Sequence, residues 1–230
     1  MTLGTDQKLK SLDTQLLVEM DGISLREAES GHELLLGCSF KSNLKWSKHI
    51  QEVCGISKKR LVAVSCLKFV LPFLERKLVA DGLINSVIAY CLPLFGGCNR
   101  NDIKDLQVLQ NKAARIICHA PRLACRNKMF DNLDWLSVRQ MIDYYTLITV
   151  YRIRMSGEPE YFAKVFNNVN RKGSIIVQNT RLSLFQSSFR IRGASQWNCL
   201  PQNVREAPKI SQFKNGLKQW IKMNVPRFFE

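Results

Sequence analysis

The chain has no Cys-x-x-Cys pair, no phosphate-binding glycine loop, no nucleophile elbow and no His-Glu-x-x-His sequence. Paired-thiolate zinc sites, P-loop nucleotide hydrolysis, α/β-hydrolase chemistry and zinc-protease chemistry therefore lack their usual residues. Its eight cysteines, Cys38, Cys54, Cys66, Cys91, Cys98, Cys118, Cys125 and Cys199, are scattered, several within apolar helical patterns. They read as buried reduced thiols of an intracellular protein rather than as a disulfide framework. The amino terminus, MTLGTDQKLK, has no continuous apolar stretch after its charges, so no secretory signal is expected. The most apolar stretch, Leu83 to Phe95, is interrupted by Asn85, Ser86 and Pro93 and is too short to span a bilayer. Internal repeats, heptads and low-complexity tracts are also missing.

Acidic residues are scarce. Lys and Arg number 34 against 19 Asp and Glu, a formal charge of +15, which favours an anionic partner such as nucleic acid or an acidic membrane surface. The plainer reading is a basic, solvated surface. A length of 230 residues and a hydrophobic content of 46% suffice for a folded core.

Residues 15–24 alternate around Asp21-Gly22 and 33–40 form a second apolar run, which predicts a short hairpin or small sheet at the entrance to the domain. Gly37 there suits a bulge or close backbone approach, or is simply tolerated in the strand. From Ser47 the period changes to helical, with Ile50, Val53, Cys54, Ser57, Leu61, Val64 and Leu67 on one stripe and Lys48, Lys58, Lys59 and Arg60 largely off it. Pro72 ends that helix or begins the next, a more fully buried one outlined by Leu74, Leu78, Leu83, Ile84, Val87 and Ile88. A third helix is expected from an Asn101 N-cap, with Ile103, Leu106, Leu109, Ala113, Ile116 and Ile117 inward. The fourth has the clearest start: Ser137 with Gln140 is a capping-box pattern, and Ser156-Gly157 and Pro159 stop it. A short helix follows at 160–167, then a weakly patterned stretch with a strand at Ser174–Val177, and a last helix near Ile210 docked by Phe213, Leu217 and Ile221. Lys209, Lys214, Lys218 and Lys222 lie on another side of that last helix.

Three segments, LLLGCSFKSNLKWSKHIQEV (34–53), LQVLQNKAARII (106–117) and SFRIRGASQWNCLPQNVREAPKISQFKNGLKQWI (188–221), occur in that order. The first contains Leu36, Gly37, Leu44, Trp46, His49 and Ile50; the second Leu106, Leu109, Gln110, Ala113, Ala114, Arg115, Ile116 and Ile117. The third contains Ser188, Phe189, Arg192, Gly193, Trp197, Asn198, Leu200, Pro201, Val204, Ser211, Phe213, Lys214 and Leu217. Together they resemble the region after the catalytic palm in reverse transcriptases of non-LTR (LINE-like, jockey/CR1-type) retrotransposons, over roughly residues 12–222. The match is incomplete upstream of the second segment, where Tyr90-Cys91 and Phe95-Gly96 stand in place of the family's Tyr-Gly and Trp-Gly pattern.

The resemblance implies a mainly α fold: a helical thumb-like bundle with a short N-terminal β-hairpin or small sheet. Its expected divisions are palm-associated strands over 1–40, a thumb-like domain over 41–167 and a basic segment over 168–230. Gly37, Trp46, Ile50, Trp197, Pro201 and Phe213 are the expected structural anchors, with His49 a hydrogen-bonding residue at a helix start rather than a metal ligand. It also implies helices that grip a template–primer duplex in the complete enzyme. Candidate phosphate contacts are Lys48, Lys58, Lys59, Arg60, Lys112, Arg115, Arg190, Arg192, Lys214 and Lys218, each of which has an ordinary surface charge as its alternative reading.

A retroelement polymerase needs paired aspartates to hold two metal ions, and no Tyr/Phe-x-Asp-Asp run is present. Asp81, Asp102, Asp105, Asp131, Asp134 and Asp143 are dispersed, Phe130-Asp131-Asn132 is a decoy, and Cys118, His119 and Cys125 lack a fourth zinc ligand. The expectation is a noncatalytic, intracellular fragment with no cofactor or metal, binding RNA, DNA or their hybrid without sequence specificity. No membrane partner is expected. The alternatives are a structural or protein-interaction remnant, and the C-terminal part of an RNA-directed DNA polymerase whose palm domain lies on a missing upstream segment.

Overall fold

In the computed structural model, residues 18–20, 23–25, 32–179 and 181–227 are described. The fold is mainly helical with small N-terminal antiparallel sheets, and it forms two compact units, residues 1–53 and 54–230. In the first unit β1 (Val18–Met20) pairs with β2 (Ile23–Leu25), while the expected Asp21-Gly22 turn lies outside the described residues. The hairpin of β3 (His32–Leu35) and β4 (Cys38–Lys41) turns through Leu36 (φ 49°) and Gly37 (φ 78°). Two successive positive φ values mark a tight primed turn, so Gly37 serves the hairpin's reversal rather than a bulge. Within this unit the Phe40 ring packs tilted against Trp46, centroids 5.0 Å apart, and the Ser39 amide donates to His49 Nδ1 at 3.4 Å. His49 and Ile50 are buried at the start of α1 (Ser47–Cys66), a helix that runs across the boundary between the units.

In the second unit Cys54, Ser57 and Val64 continue the buried stripe of α1 as the periodicity requires. The following segment departs from expectation. α2 (Phe73–Ala80) leaves Leu74 and Leu78 67% and 70% exposed, while Ile84 and Ile88 are fully buried. Between them Asp81–Asn85 form a π-helical turn before α3 (Ser86–Ala89). A π turn absorbs one extra residue, which rotates the downstream helix by about 100° relative to the upstream one. The apolar positions thus share one stripe on an ideal α-helix but not on this one.

After α4 (Leu92–Phe95) comes α5 (Arg100–Ile117), whose cap is Asn99, two residues before the expected Asn101. α6 (Arg126–Asn132) leads to α7 (Val138–Ser156), which opens with both hydrogen bonds of the Ser137–Gln140 capping box and ends at Gly157, φ 75°. α7 is the central strut: α4, α5, α8 (Glu160–Phe166), α10 (Phe189–Asn198) and α12 (Ile210–Asn224) all pack on it. Buried Gln110 donates to the Leu136 carbonyl at 3.0 Å and Gln107 Oε1 accepts from the Val138 amide at 2.9 Å, tying α5 to the start of α7.

The C-terminal segment adds short α9 (Ser183–Gln186) and α11 (Gln202–Arg205). The strand expected at Ser174–Val177 is reduced to a single bridge between Val169 and Ile175. Asn198 explains the difference, since its side chain accepts from the Ile175 amide at 2.8 Å and donates to the Ile175 carbonyl at 2.9 Å, satisfying groups that a partner strand would otherwise meet. On the α7 face, Phe213 stacks between Tyr151 at 4.2 Å and Trp197 at 5.8 Å. A Cβ added at Gly193 would lie 2.9 Å from Val150 Cγ2, so a glycine is what permits α10 to approach α7. Pro201 is exposed rather than buried, and acts by capping α11, accepting from the Val204 and Arg205 amides.

Candidate nucleic-acid interface

The cationic candidates divide by what their heads touch. Arg192 is the clearest inward case: Nη2 donates to the Pro93 carbonyl at 2.5 Å, and its guanidinium faces Asp143 and Cys98. Burial lowers the Arg192 pKa and raises that of Asp143, and it pushes the Cys98 thiol up to about 12, so this charge belongs to the interior. Arg60 Nη1 donates to the Leu83 carbonyl at 3.2 Å, bracing α1 against the π turn. Arg115 Nη1 reaches back along α5 to the Asn111 carbonyl at 3.4 Å. Arg190 lies 6.0 Å over the Phe185 ring, with Nη1 3.4 Å from Tyr161 Oη.

Lys218 shares Asp134 with Lys222, a residue outside the expected set. Burial pushes the Asp134 carboxyl up, but hydrogen bonds and charge from the two ammonium groups outweigh it and hold its pKa at about 2. This cluster borders a cleft of about 250 Å³ that also carries Lys77 and Asp81, a mixed-charge lining that suits no particular anion. What remains is lysine. Lys58, Lys59 and Lys112 are exposed, Lys214 is half-buried on α12, and none has a carboxylate partner among the described residues. Lys48, in the first unit, is exposed as well.

The difference between the arginines and lysines is chemical. A guanidinium offers several N–H donors in a rigid plane and is weakly hydrated, so it reaches loop and helix-end carbonyls inside a fold; a compact, strongly hydrated ammonium stays in water. Arg154, outside the candidate set, behaves the same way: it lies 5.1 Å over Trp197 and donates to the Phe166 carbonyl. Sequence periodicity separates the apolar stripe from everything else, but does not separate an arginine that folds back from one that points out.

A second cationic feature lies beside Cys118, His119 and Cys125, the trio that lacks a fourth zinc ligand, and includes the candidate Arg115. Arg115, Arg122 and Arg126 line a recess of about 390 Å³ with Leu123, Ala124, Cys125 and Asn127. Basic residues at 115, 122 and 126 were its visible signal; the turn that brings them together was not. No group of three or more His, Cys, Asp or Glu residues suited to a metal ion occurs among the described residues, and Asp131 is paired with Arg227 at 2.8 Å. No helix among them is long and apolar enough to cross a membrane. Comparison with protein-family models, curated proteins and solved structures finds no match to this chain.

Proposed function

We propose that the helical unit is a noncatalytic module of retroelement reverse-transcriptase ancestry that binds RNA, DNA or their hybrid through backbone phosphates. The ancestry rests on the resemblance carried by the chain's three segments, the first of which lies in the N-terminal unit. The binding reading rests on one observation: Lys58 and Lys59 on α1 and Lys112 on α5 project exposed ammonium groups that no described carboxylate neutralises, in a chain of formal charge +15. Such groups contact phosphates irrespective of sequence, and a hybrid duplex would be sensed through backbone shape. Lys214 is a further contact of the same kind. Arg60 and Arg192 hold the fold instead, because one terminal nitrogen of each donates to a main-chain carbonyl, and the Arg192 guanidinium is turned inward beside Asp143.

The test is a salt titration of binding to unrelated RNA, DNA and hybrid oligonucleotides between about 50 and 200 mM monovalent salt. Affinity should fall linearly on a log–log plot with similar slopes across sequences. Absence of salt-dependent binding at the low end would overturn the reading.

A second reading, a protein-interaction remnant, is favoured by exposed apolar side chains at the α1–α2 junction: Phe69 (83%), Val70 (72%), Leu74 and Leu78. The Leu34–Leu36 tip of the β3–β4 hairpin is likewise exposed. Patches of this kind mark contact surfaces or self-association. Sedimentation at increasing protein concentration separates the two readings, since self-association that Leu74→Asp with Leu78→Asp abolishes, without nucleic-acid binding, supports the second.

A further inference from the structure

The cleft of about 250 Å³ between the π turn and the first turns of α7 is built around a carboxylate that the fold holds in place. Buried Gln110 donates through Nε2 to Asn85 Oδ1 at 3.2 Å, and Asn85 Nδ2 in turn donates to Asp81 Oδ1 at 2.7 Å. This relay fixes the Asn85 amide and, through it, the Asp81 carboxylate, which has no other hydrogen bond and no ion pair among the described residues. Asp81 and Asn85 both lie on the π turn, a distortion that recurs at functional sites. The facing walls are largely aromatic. Tyr144 and Tyr145, half-buried with ring centroids 5.4 Å apart, line the cleft with Trp135 and the Met141 thioether. Tyr145 faces the carboxylate: burial, and after it the charge of Asp81, raises its phenol pKa. Lys77, one turn before Asp81, lines the same cleft and meets no carboxylate among the described residues, whereas Lys218 there is taken up by Asp134.

We propose that this cleft takes a guanine base from an unpaired stretch of a nucleic-acid strand, an inference that rests on the nucleic-acid reading above. Asp81 reads the Watson–Crick edge, the tyrosines pack on the ring and Lys77 meets the adjoining phosphate. Guanine presents two adjacent donors on that edge, N1–H and the 2-amino group, and an ionised carboxylate presents two acceptors and no donor. Adenine and cytosine present a donor beside an acceptor there, and thymine or uracil a donor between two acceptors, so each sets a lone pair against Asp81. The base must be unpaired, because pairing occupies the same edge and stacking covers the ring. A lining of both charge signs fits a neutral polar heterocycle better than an anion. The volume lies below the about 300–1,000 Å³ of pockets that enclose drug-sized ligands, which suits one ring system with its sugar and phosphate outside.

The inference is tested with a single-stranded oligothymidylate carrying one central guanine, hypoxanthine or adenine. Hypoxanthine differs from guanine only in lacking the 2-amino group, so the guanine strand should bind about tenfold more tightly, the worth of one charge-assisted hydrogen bond. Asp81→Asn should bring that ratio toward one. Its side-chain oxygen still accepts from Asn85, which keeps the local fold, but it offers one acceptor where guanine has two donors. Lys77→Ala should weaken all three strands alike and leave the ratio unchanged. Location is read independently: 6-thioguanine at the central position, photocrosslinked and mapped by mass spectrometry, should attach to the peptide carrying Tyr144 and Tyr145, and attachment elsewhere would overturn the cleft as the site. Equal, salt-dependent binding of all three strands would overturn the guanine pocket and leave the general reading standing. A guanine preference that survives Asp81→Asn would overturn the role of Asp81. No binding of any strand overturns both readings. Competition by guanosine monophosphate at the affinity of the guanine strand itself would overturn the strand as the source of the base.

Discussion

The α7–α10–α12 region and the α1–α2 region use similar residue types to opposite ends. In the first, Trp197, Phe213 and Tyr151 form a buried stack, and nearby Arg154 and Arg192 end on carbonyls. In the second, Phe69, Leu74 and Leu78 face solvent, as do Lys58 and Lys59. Position in the packing, rather than composition, therefore decides whether a basic or apolar residue stabilises the fold or remains available to a partner. Arg154 and Arg192 in the first region should report in folding assays, and Lys58 and Lys59 in the second in binding assays.

The largest separation is expected for the apolar residues. Phe213→Ala removes a fully buried ring and should cost about 3–5 kcal/mol in urea unfolding, whereas Leu74→Ala should change stability by less than about 0.5 kcal/mol. A Leu74 effect as large as that of Phe213 would erase the contrast. Next is Arg192→Met, which leaves the Pro93 carbonyl without this donor and takes from Asp143 the nearer of its two cationic neighbours, Arg139 being the other; a loss of about 1–3 kcal/mol is expected. Lys59→Ala should leave the unfolding midpoint nearly unchanged.

A smaller effect belongs to the helix start. Ser137→Ala removes one half of the capping box and should lower stability by about 1 kcal/mol, read from the same urea curves. The smallest is electrostatic. Because the folded Asp134 pKa is depressed to about 2, its ion pairs add stability that is present above the ordinary carboxylate range and is lost as pH falls from about 4 through 2. Asp134→Asn should flatten that part of the acid-unfolding profile only slightly, since the pair is half exposed. A large flattening would mean that the α12 lysines hold the helix as strongly as its aromatic core does.

Local rules made much of this legible in the sequence. The stripe from Cys54 to Val64, the Ser137–Gln140 cap and the Phe213–Leu217–Ile221 face follow from helical spacing and cap chemistry, which act over a few residues. The exposure of Leu74 and Leu78 did not, because one π turn changes the face without changing the residue order. Asn198 replacing a partner strand for Ile175 is a contact between residues 23 positions apart, invisible to any periodicity. The placement of the candidate cations was half legible for the same reason: Lys48, Lys58, Lys59 and Lys112 fell where solvation puts them, while Lys218 met Asp134 and Arg60, Arg115 and Arg192 found acceptors set by tertiary packing or by their own helix.

The most direct test pairs Lys58→Ala/Lys59→Ala/Lys112→Ala with Arg192→Met in one salt-dependent binding series on a common duplex. The lysine variant should keep its unfolding midpoint and lose about two to three from the magnitude of the log K against log salt slope, as expected for about three phosphate contacts. The folded Arg192 variant should keep the wild-type slope and lose stability. A wild-type slope in the lysine variant, or a reduced one in the Arg192 variant, would contradict the division between outward and inward cations.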